Sequence, residues 1–168
     1  LGVHCEGPML SPRRRGVHAP SRRRRPSAEV IRGWSPERGV RLVTLAPELP
    51  GADRVVRALV RRGVIVSAGH SDASHEEATR SFSLGVTACT HLFNAMSGLD
   101  RREPGLAGAV LDSDGVRAGI VADGLHVHPA MLRHRGADIE GHRAEKGGWL
   151  LRLDFADGAA HFVVADRK

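Results

Sequence analysis

Tyrosine is absent from this 168-residue chain, and aromatic residues together make up 4% of it. A surface that stacks nucleic-acid bases needs several such rings, so the scarcity argues against a base-stacking platform. Cysteine is scarce too. Cys5 and Cys89 are the only two, and both lie in apolar runs. That placement fits buried free thiols and does not fit a secreted disulfide scaffold. No apolar run approaches a membrane span, and no signal-peptide pattern is visible, which points to the cytoplasm.

Acidic charge is outnumbered: 19 Asp and Glu stand against 25 Lys and Arg, a formal charge of +6. Two clusters carry the excess, Arg13-Arg14-Arg15 and Arg22-Arg23-Arg24-Arg25. A basic stripe can bind nucleic acid. Without aromatic partners, the first reading is a solvated basic loop and the second a phosphate-bearing small substrate. Neither nucleic acid nor a membrane is expected as a partner.

What is present is an alternation of strands and helices. Five apolar runs read as strands: 1–5, 41–46, 63–68, 86–90 and 116–122. Their near-continuous hydrophobicity fits strands buried on both faces. Residues 52–62 put Val55, Val56, Leu59 and Val60 on one helical side, and Gly63 supplies a stop. Residues 74–84 form a second helix, with a cap at Asp72 or Ser74 and with Glu76 and Glu77 in its first turn. The order implies parallel βαβ units. Residues 11–26 and 97–105 read as loops. The segment 133–148 is polar and poorly periodic, and two strands near 149–154 and 161–165 suggest a hairpin.

Three of these strands end on metal-binding chemistry: His4-Cys5-Glu6-Gly7-Pro8, Ser67-Ala68-Gly69-His70-Ser71 and Thr90-His91-Leu92-Phe93-Asn94-Ala95-Met96. In a barrel of parallel strands, the carboxyl ends converge on the face that holds the active site. One carboxylate and two imidazoles arriving there suit a hydrolytic Zn²⁺ site with an open position for water. Any one of the three alone would read as a capping carboxylate or a structural histidine. His4 is expected to point away from the ligand face, because strand residues alternate in direction. Asp123, before Gly124, reads equally as a turn residue or as an orienting carboxylate.

Six motifs occur in order: His-Cys-Glu-Gly-Pro (4–8), Thr-Leu-Ala-Pro-Glu (44–48), Ser-Ala-Gly-His-Ser (67–71), Thr-His-Leu-Phe-Asn-Ala-Met (90–96), Arg-Glu-Pro-Gly (102–105) and Ala-Asp-Gly-Leu-His (122–126). Together they resemble the N-acetylglucosamine-6-phosphate deacetylases of the amidohydrolase superfamily, over roughly residues 1–131. The resemblance implies an α/β fold, a partial (β/α)₈ TIM-type barrel truncated at both ends. A complete barrel takes roughly 250 residues. The start at Leu1, inside an apolar run, likewise reads as a fragment. The tail, residues 132–168, reads as a divergent end or a strand hairpin.

The resemblance also implies a zinc-dependent hydrolase that removes acetate from N-acetylglucosamine 6-phosphate, in amino-sugar catabolism, and a homo-oligomer when intact. Its metal ligands match Glu6, His70 and His91. Its substrate contacts match Asn94, Ala95, Arg102 (on the phosphate) and His126, and His18 matches a histidine near the acetamide. The family's His-x-His segment on the first strand is missing here, and no Thr-Asp-Ala motif follows His126. Asp154, in Leu-Arg-Leu-Asp-Phe, is the nearest analogue of the family's catalytic aspartate. The alternative is a non-catalytic remnant that keeps a sugar-phosphate and metal pocket.

Overall fold

The computed structural model describes residues 2–128, 130 and 131, and the backbone of three strands beyond them. Two compact units divide the chain, Leu1–Ala118 and Gly119–Lys168.

The first unit is a mixed α/β layer built on one parallel sheet. Strands β1 (Val3–Glu6), β2 (Val40–Leu45), β3 (Ile65–Ala68), β4 (Val86–Cys89) and β5 (Arg117–Ala118) lie side by side in chain order. Parallel neighbours require crossovers, and helices supply most of them. Helix α1 (Ala52–Arg61) links β2 to β3, α2 (His75–Ser83) links β3 to β4, and α3 (Gly105–Leu111) precedes β5. Among the described residues the sheet stays open, with β1 and β5 at its edges.

Helix α1 buries Ala52, Val55, Val56 and Leu59 against Val43, Leu45 and Val66 of the sheet. Helix α2 starts at Ser74. The Ser74 hydroxyl accepts from the Glu77 N–H, and the Glu77 carboxylate accepts from the Ser74 N–H. This reciprocal cap ties down two otherwise unpaired donors.

Two elements differ from the sequence expectation. Helix α3 falls partly in the expected loop 97–105 and beyond it. Six of its seven residues are buried, so it has no polar stripe to reveal it. Strand β5 has two residues in place of the expected 116–122, because its partner β4 ends at Cys89 opposite Ala118. Past Cys89, the positive φ of His91 takes the chain out of the extended region.

Both cysteines are free; Cys89 is buried, and burial pushes its thiol up to about 12. Among the described residues, no helix is long and apolar enough to cross a membrane.

The second unit holds a turn at Asp123–His126 and an antiparallel sheet, β6 (Ile139–Ala144), β7 (Gly148–Phe155) and β8 (Gly158–Ala165). Strand β6 falls in the segment whose sequence shows no strand period. Its ladder with β7 runs from Ile139 opposite Leu153 to Ala144 opposite Gly148. Asp154 lies in β7 opposite Ala159, and its side chain lies outside the described residues.

Candidate metal centre

Glu6 is the last residue of β1, and His70 and His91 sit two residues past the ends of β3 and β4. In a parallel sheet these positions share one edge, so the three side chains meet. Glu6 Oε1 lies 2.7 Å from His70 Nε2 and 3.0 Å from His91 Nε2, and the two Nε2 atoms are 3.0 Å apart. His18, from the loop after β1, stands at the margin with Nε2 3.9 Å from Glu6 Oε1. Glu6, His18 and His70 also offer atoms within 4.8 Å of one another. The shorter distances put His91, not His18, with the other two. The rings of His18 and His91 each meet His70 edge-on, with centroids 4.7 Å and 4.6 Å away.

The backbone is bent to make this possible. His70, His91, Phe93 and Ala95 all have positive φ, between 39° and 76°. Residues with a Cβ resist that region, and such strain concentrates at functional loops. The loops are tied together: Ser71 N–H donates to Ala95 O at 3.2 Å, and Ser97 N–H to Ser71 O at 2.9 Å.

The donor set fits a divalent ion. His70 Nδ1 lies 2.9 Å from the Arg14 carbonyl, which only accepts, so Nδ1 carries the proton. In the neutral ring, Nε2 is then a lone pair, and it faces a carboxylate oxygen and a second imidazole nitrogen. Lone pairs so close together repel unless a cation sits among them. Without a metal, a proton takes that part. Burial pulls the His70 pKa down, but the bonds to Glu6 and to the Arg14 carbonyl outweigh it and leave it above the ordinary value. Bonding to His70, then to His91, holds the Glu6 carboxyl far below the usual carboxylate range.

A polar row underlies the site. Thr44 Oγ1 is 2.6 Å from Thr90 Oγ1, and Ser67 Oγ is 2.7 Å from the same Thr90 oxygen. His4 Nε2 joins the row, 2.7 Å from Thr44 Oγ1. This corrects the expected direction of His4. Residues two apart on a strand share a face, so His4 lies on the Glu6 side, one layer below. The lone hydroxyls of the β2 and β3 runs, Thr44 and Ser67, were the available signal for this row.

The other expected residues make contacts within their own loops. Asn94 and Ala95 lie in the same loop as His91, and Asn94 Nδ2 donates to Leu92 O at 3.4 Å. Arg102 is exposed in the loop before α3, and no ion pair engages it among the described residues. In the second unit, Asp123 accepts from the N–H groups of His126 and Leu125 and lies 2.6 Å from His126 Nδ1. The His126 backbone bond, then its ring and Leu125, lower the Asp123 pKa to about 2. Asp123 is thus a turn residue that also orients the His126 ring.

The expected solvated loop at Arg13–Arg15 is only partly that. Arg14 Nε donates to Asp72 Oδ1 at 2.8 Å, and Arg13 Nη1 to Asp72 Oδ2 at 3.2 Å. No sequence signal marked Asp72 as their partner, because the two segments are 58 residues apart.

No protein-family model matches the chain. Among curated proteins, the human N-acetylglucosamine-6-phosphate deacetylase is 41% identical over 164 residues, covering 92% of this chain and 38% of that protein. The N-acetylgalactosamine-6-phosphate deacetylase of Shewanella sp. (strain ANA-3) is 43% identical over 133 residues, covering 77% of this chain and 33% of the relative. The chain is homologous to the N-acetylglucosamine-6-phosphate deacetylases. It spans only about a third of the length of these relatives. Among solved structures, a mutant N-acetyl-D-glucosamine-6-phosphate deacetylase from Mycobacterium smegmatis, in complex with N-acetyl-D-glucosamine 6-phosphate, superposes with a TM-score of 0.74. That match has 33% identity and covers 98% of this chain and 49% of that one. The six motifs quoted for these deacetylases from sequence all fall within the first 126 residues.

Proposed function

We propose that this chain is part of a metal-dependent amide hydrolase that removes acetate from N-acetylated amino-sugar 6-phosphates, N-acetylglucosamine 6-phosphate first. The parallel sheet is, in this reading, an arc of a (β/α)₈ barrel. The observation that carries the reading is the meeting of Glu6, His70 and His91 within 2.7–3.0 Å at three strand ends. These residues would hold a divalent ion, Zn²⁺ by the mixture of carboxylate and imidazole donors. Such an ion, when bound, lowers the pKa of a coordinated water towards neutrality and polarises a carbonyl.

The remaining work falls to the chain. His18, whose Nε2 lies 3.9 Å from Glu6 Oε1, would donate to the acetamide oxygen as negative charge develops there. The backbone of Asn94 and Ala95, the planar fork of Arg102, and His126 would hold the sugar phosphate. Asp154 is the tail carboxylate assigned to carry the proton to the leaving amine. The same reading places the whole protein in the cytoplasm, as a homo-oligomer whose partner is a small sugar phosphate and neither nucleic acid nor a membrane.

A second reading, a non-catalytic remnant that binds metal and sugar phosphate without turning over, is favoured by the lack of a Thr-Asp-Ala motif after His126. Acetate release from N-acetylglucosamine 6-phosphate by the Zn²⁺-loaded chain separates the two. Turnover that Asp154→Asn lowers by about 10²–10⁴-fold supports the hydrolase with Asp154 in that role. Metal binding without turnover supports the remnant. Turnover that survives Glu6→Gln would sink the site assignment.

A further inference from the structure

We propose that Asp72 is a positioning residue for His70, acting through Arg14, so that an ion pair outside the site sets its metal affinity. The inference rests on the metal reading above.

The connection is a closed ring of bonds. His70 Nδ1–H donates to the backbone carbonyl of Arg14 at 2.9 Å. The same Arg14 extends its side chain to Asp72, Nε to Oδ1 at 2.8 Å. Asp72 lies two residues past His70 along the chain, so the ring returns to where it began. Two more bonds fix its far corner: Ser71 Oγ donates to Glu48 Oε2 at 2.7 Å, and Asp72 N–H to Glu48 Oε1 at 2.8 Å. The loop carrying Arg14 is pressed against His70 on both sides of that residue. Ser11 N–H donates to His70 O at 2.8 Å, and a Cβ on Gly16 would lie 3.1 Å from His70 Cε1.

Loop placement therefore decides where the carbonyl sits. The carbonyl in turn fixes the tautomer and the rotation of His70, and so the direction of its Nε2 lone pair. Partners behind a metal-bound histidine commonly affect metal affinity by 10–100-fold. Arg13 adds little, since its side chain is 82% exposed, whereas Arg14 and Asp72 are 41% and 21% exposed. A pair that is still partly open to solvent contributes only modestly to global stability. The two readouts should thus separate: metal affinity moves and overall stability does not.

The test titrates Co²⁺ into the metal-stripped full chain and follows its visible absorption, with Zn²⁺ in competition. Asp72→Ala and Arg14→Ala should each weaken binding by about tenfold and alter the cobalt spectrum, the low end of the range for such partners. The double variant should be no weaker than either single one, because both break one link. Asp72→Glu should recover part of the affinity. Asp53→Ala, which removes the partner of Arg80 at 3.6 Å elsewhere on the surface, should change nothing. Arg14→Ala keeps the carbonyl and alters a partly exposed side chain, so it remains readable should Asp72→Ala fail to fold.

Unchanged Co²⁺ affinity and spectrum in folded Asp72→Ala and Arg14→Ala would overturn the inference alone. So would additive losses in the double variant. If the parent chain binds no Co²⁺, or binds it equally well after His91→Ala, the metal reading fails and this inference falls with it.

Discussion

The two imidazoles of the centre are supported in different ways. His70 is buried, 4% exposed, with its ring nitrogens facing the Arg14 carbonyl and Glu6. His91 shares Glu6 with it, but its buried Nδ1 has no hydrogen-bond partner among the described residues. A buried nitrogen left alone costs about 1–3 kcal/mol relative to one that is satisfied. The β3 end of the site is therefore pre-organised by the chain, and the β4 end is held mainly by what it faces across the site. Replacing each histidine in turn breaks the comparison. Both His70→Ala and His91→Ala should abolish measurable metal binding. Only His70→Ala should also lower the stability of the metal-free chain, by about 1–3 kcal/mol, because it strands the Arg14 carbonyl and half of the Glu6 contacts. Denaturant unfolding of the metal-stripped variants checks this. Equal losses in both would remove the distinction.

The asymmetry was only half visible in the sequence. The three strand-end motifs named Glu6, His70 and His91 from their spacing after apolar runs, because parallel strands deliver such positions to one edge. The strands and the start of α2 were legible for local reasons: composition marks β2 to β4, and Ser74, one of the two caps expected, precedes a first turn holding Glu76 and Glu77. The supports of His70 were not legible. Arg14 acts through its backbone carbonyl, which has no residue-type signature, and its partner Asp72 is remote in sequence. Helix α3 escaped because burial on all sides leaves no amphipathic period. Asp154 was chosen by analogy to a motif, and nothing about its side chain follows from the ladder that holds its backbone.

A smaller effect follows from acid titration of the metal-free site. The Glu6 pKa is depressed on folding, so its contribution is present above the ordinary value of 4.5 and is lost as pH falls towards the folded value. The His70 pKa is raised by its bonds to Glu6 and Arg14 in spite of burial. Its contribution is complete below the ordinary value of 6.5 and is lost as pH rises through the folded value. The metal-stripped centre should therefore stabilise the chain most between pH 4.5 and 6.5. Metal competes with the His70 proton, so the rise in melting temperature on adding Zn²⁺ should grow above that window and shrink within it. Melting curves with and without Zn²⁺ across pH 4–8 test both statements, and a Zn²⁺ shift independent of pH would contradict the competition between metal and proton at His70.

The least disruptive change probes the β4 end from below. His91 lacks a clamp of its own, but its chain neighbour Thr90 is bonded at 2.6 Å to Thr44 and at 2.7 Å to Ser67, in the polar row described above. If that row holds His91 in place, it does so through the backbone at Thr90 and not through the ring. Thr90→Val keeps the shape and removes the hydroxyl. Thr44 retains His4 Nε2 at 2.7 Å, so it stays satisfied, while Ser67, 1% exposed, loses the partner described for it. One orphaned hydroxyl predicts a stability loss of about 1–2 kcal/mol in the metal-free chain. Because β4 remains paired through the backbone with β3 at Cys89 and Ala68, the position of His91 should change little. Metal affinity should then fall far less than it does for Arg14→Ala. The reverse order, a larger loss in Thr90→Val, would show that the unclamped histidine depends on its strand more than the clamped one depends on its loop.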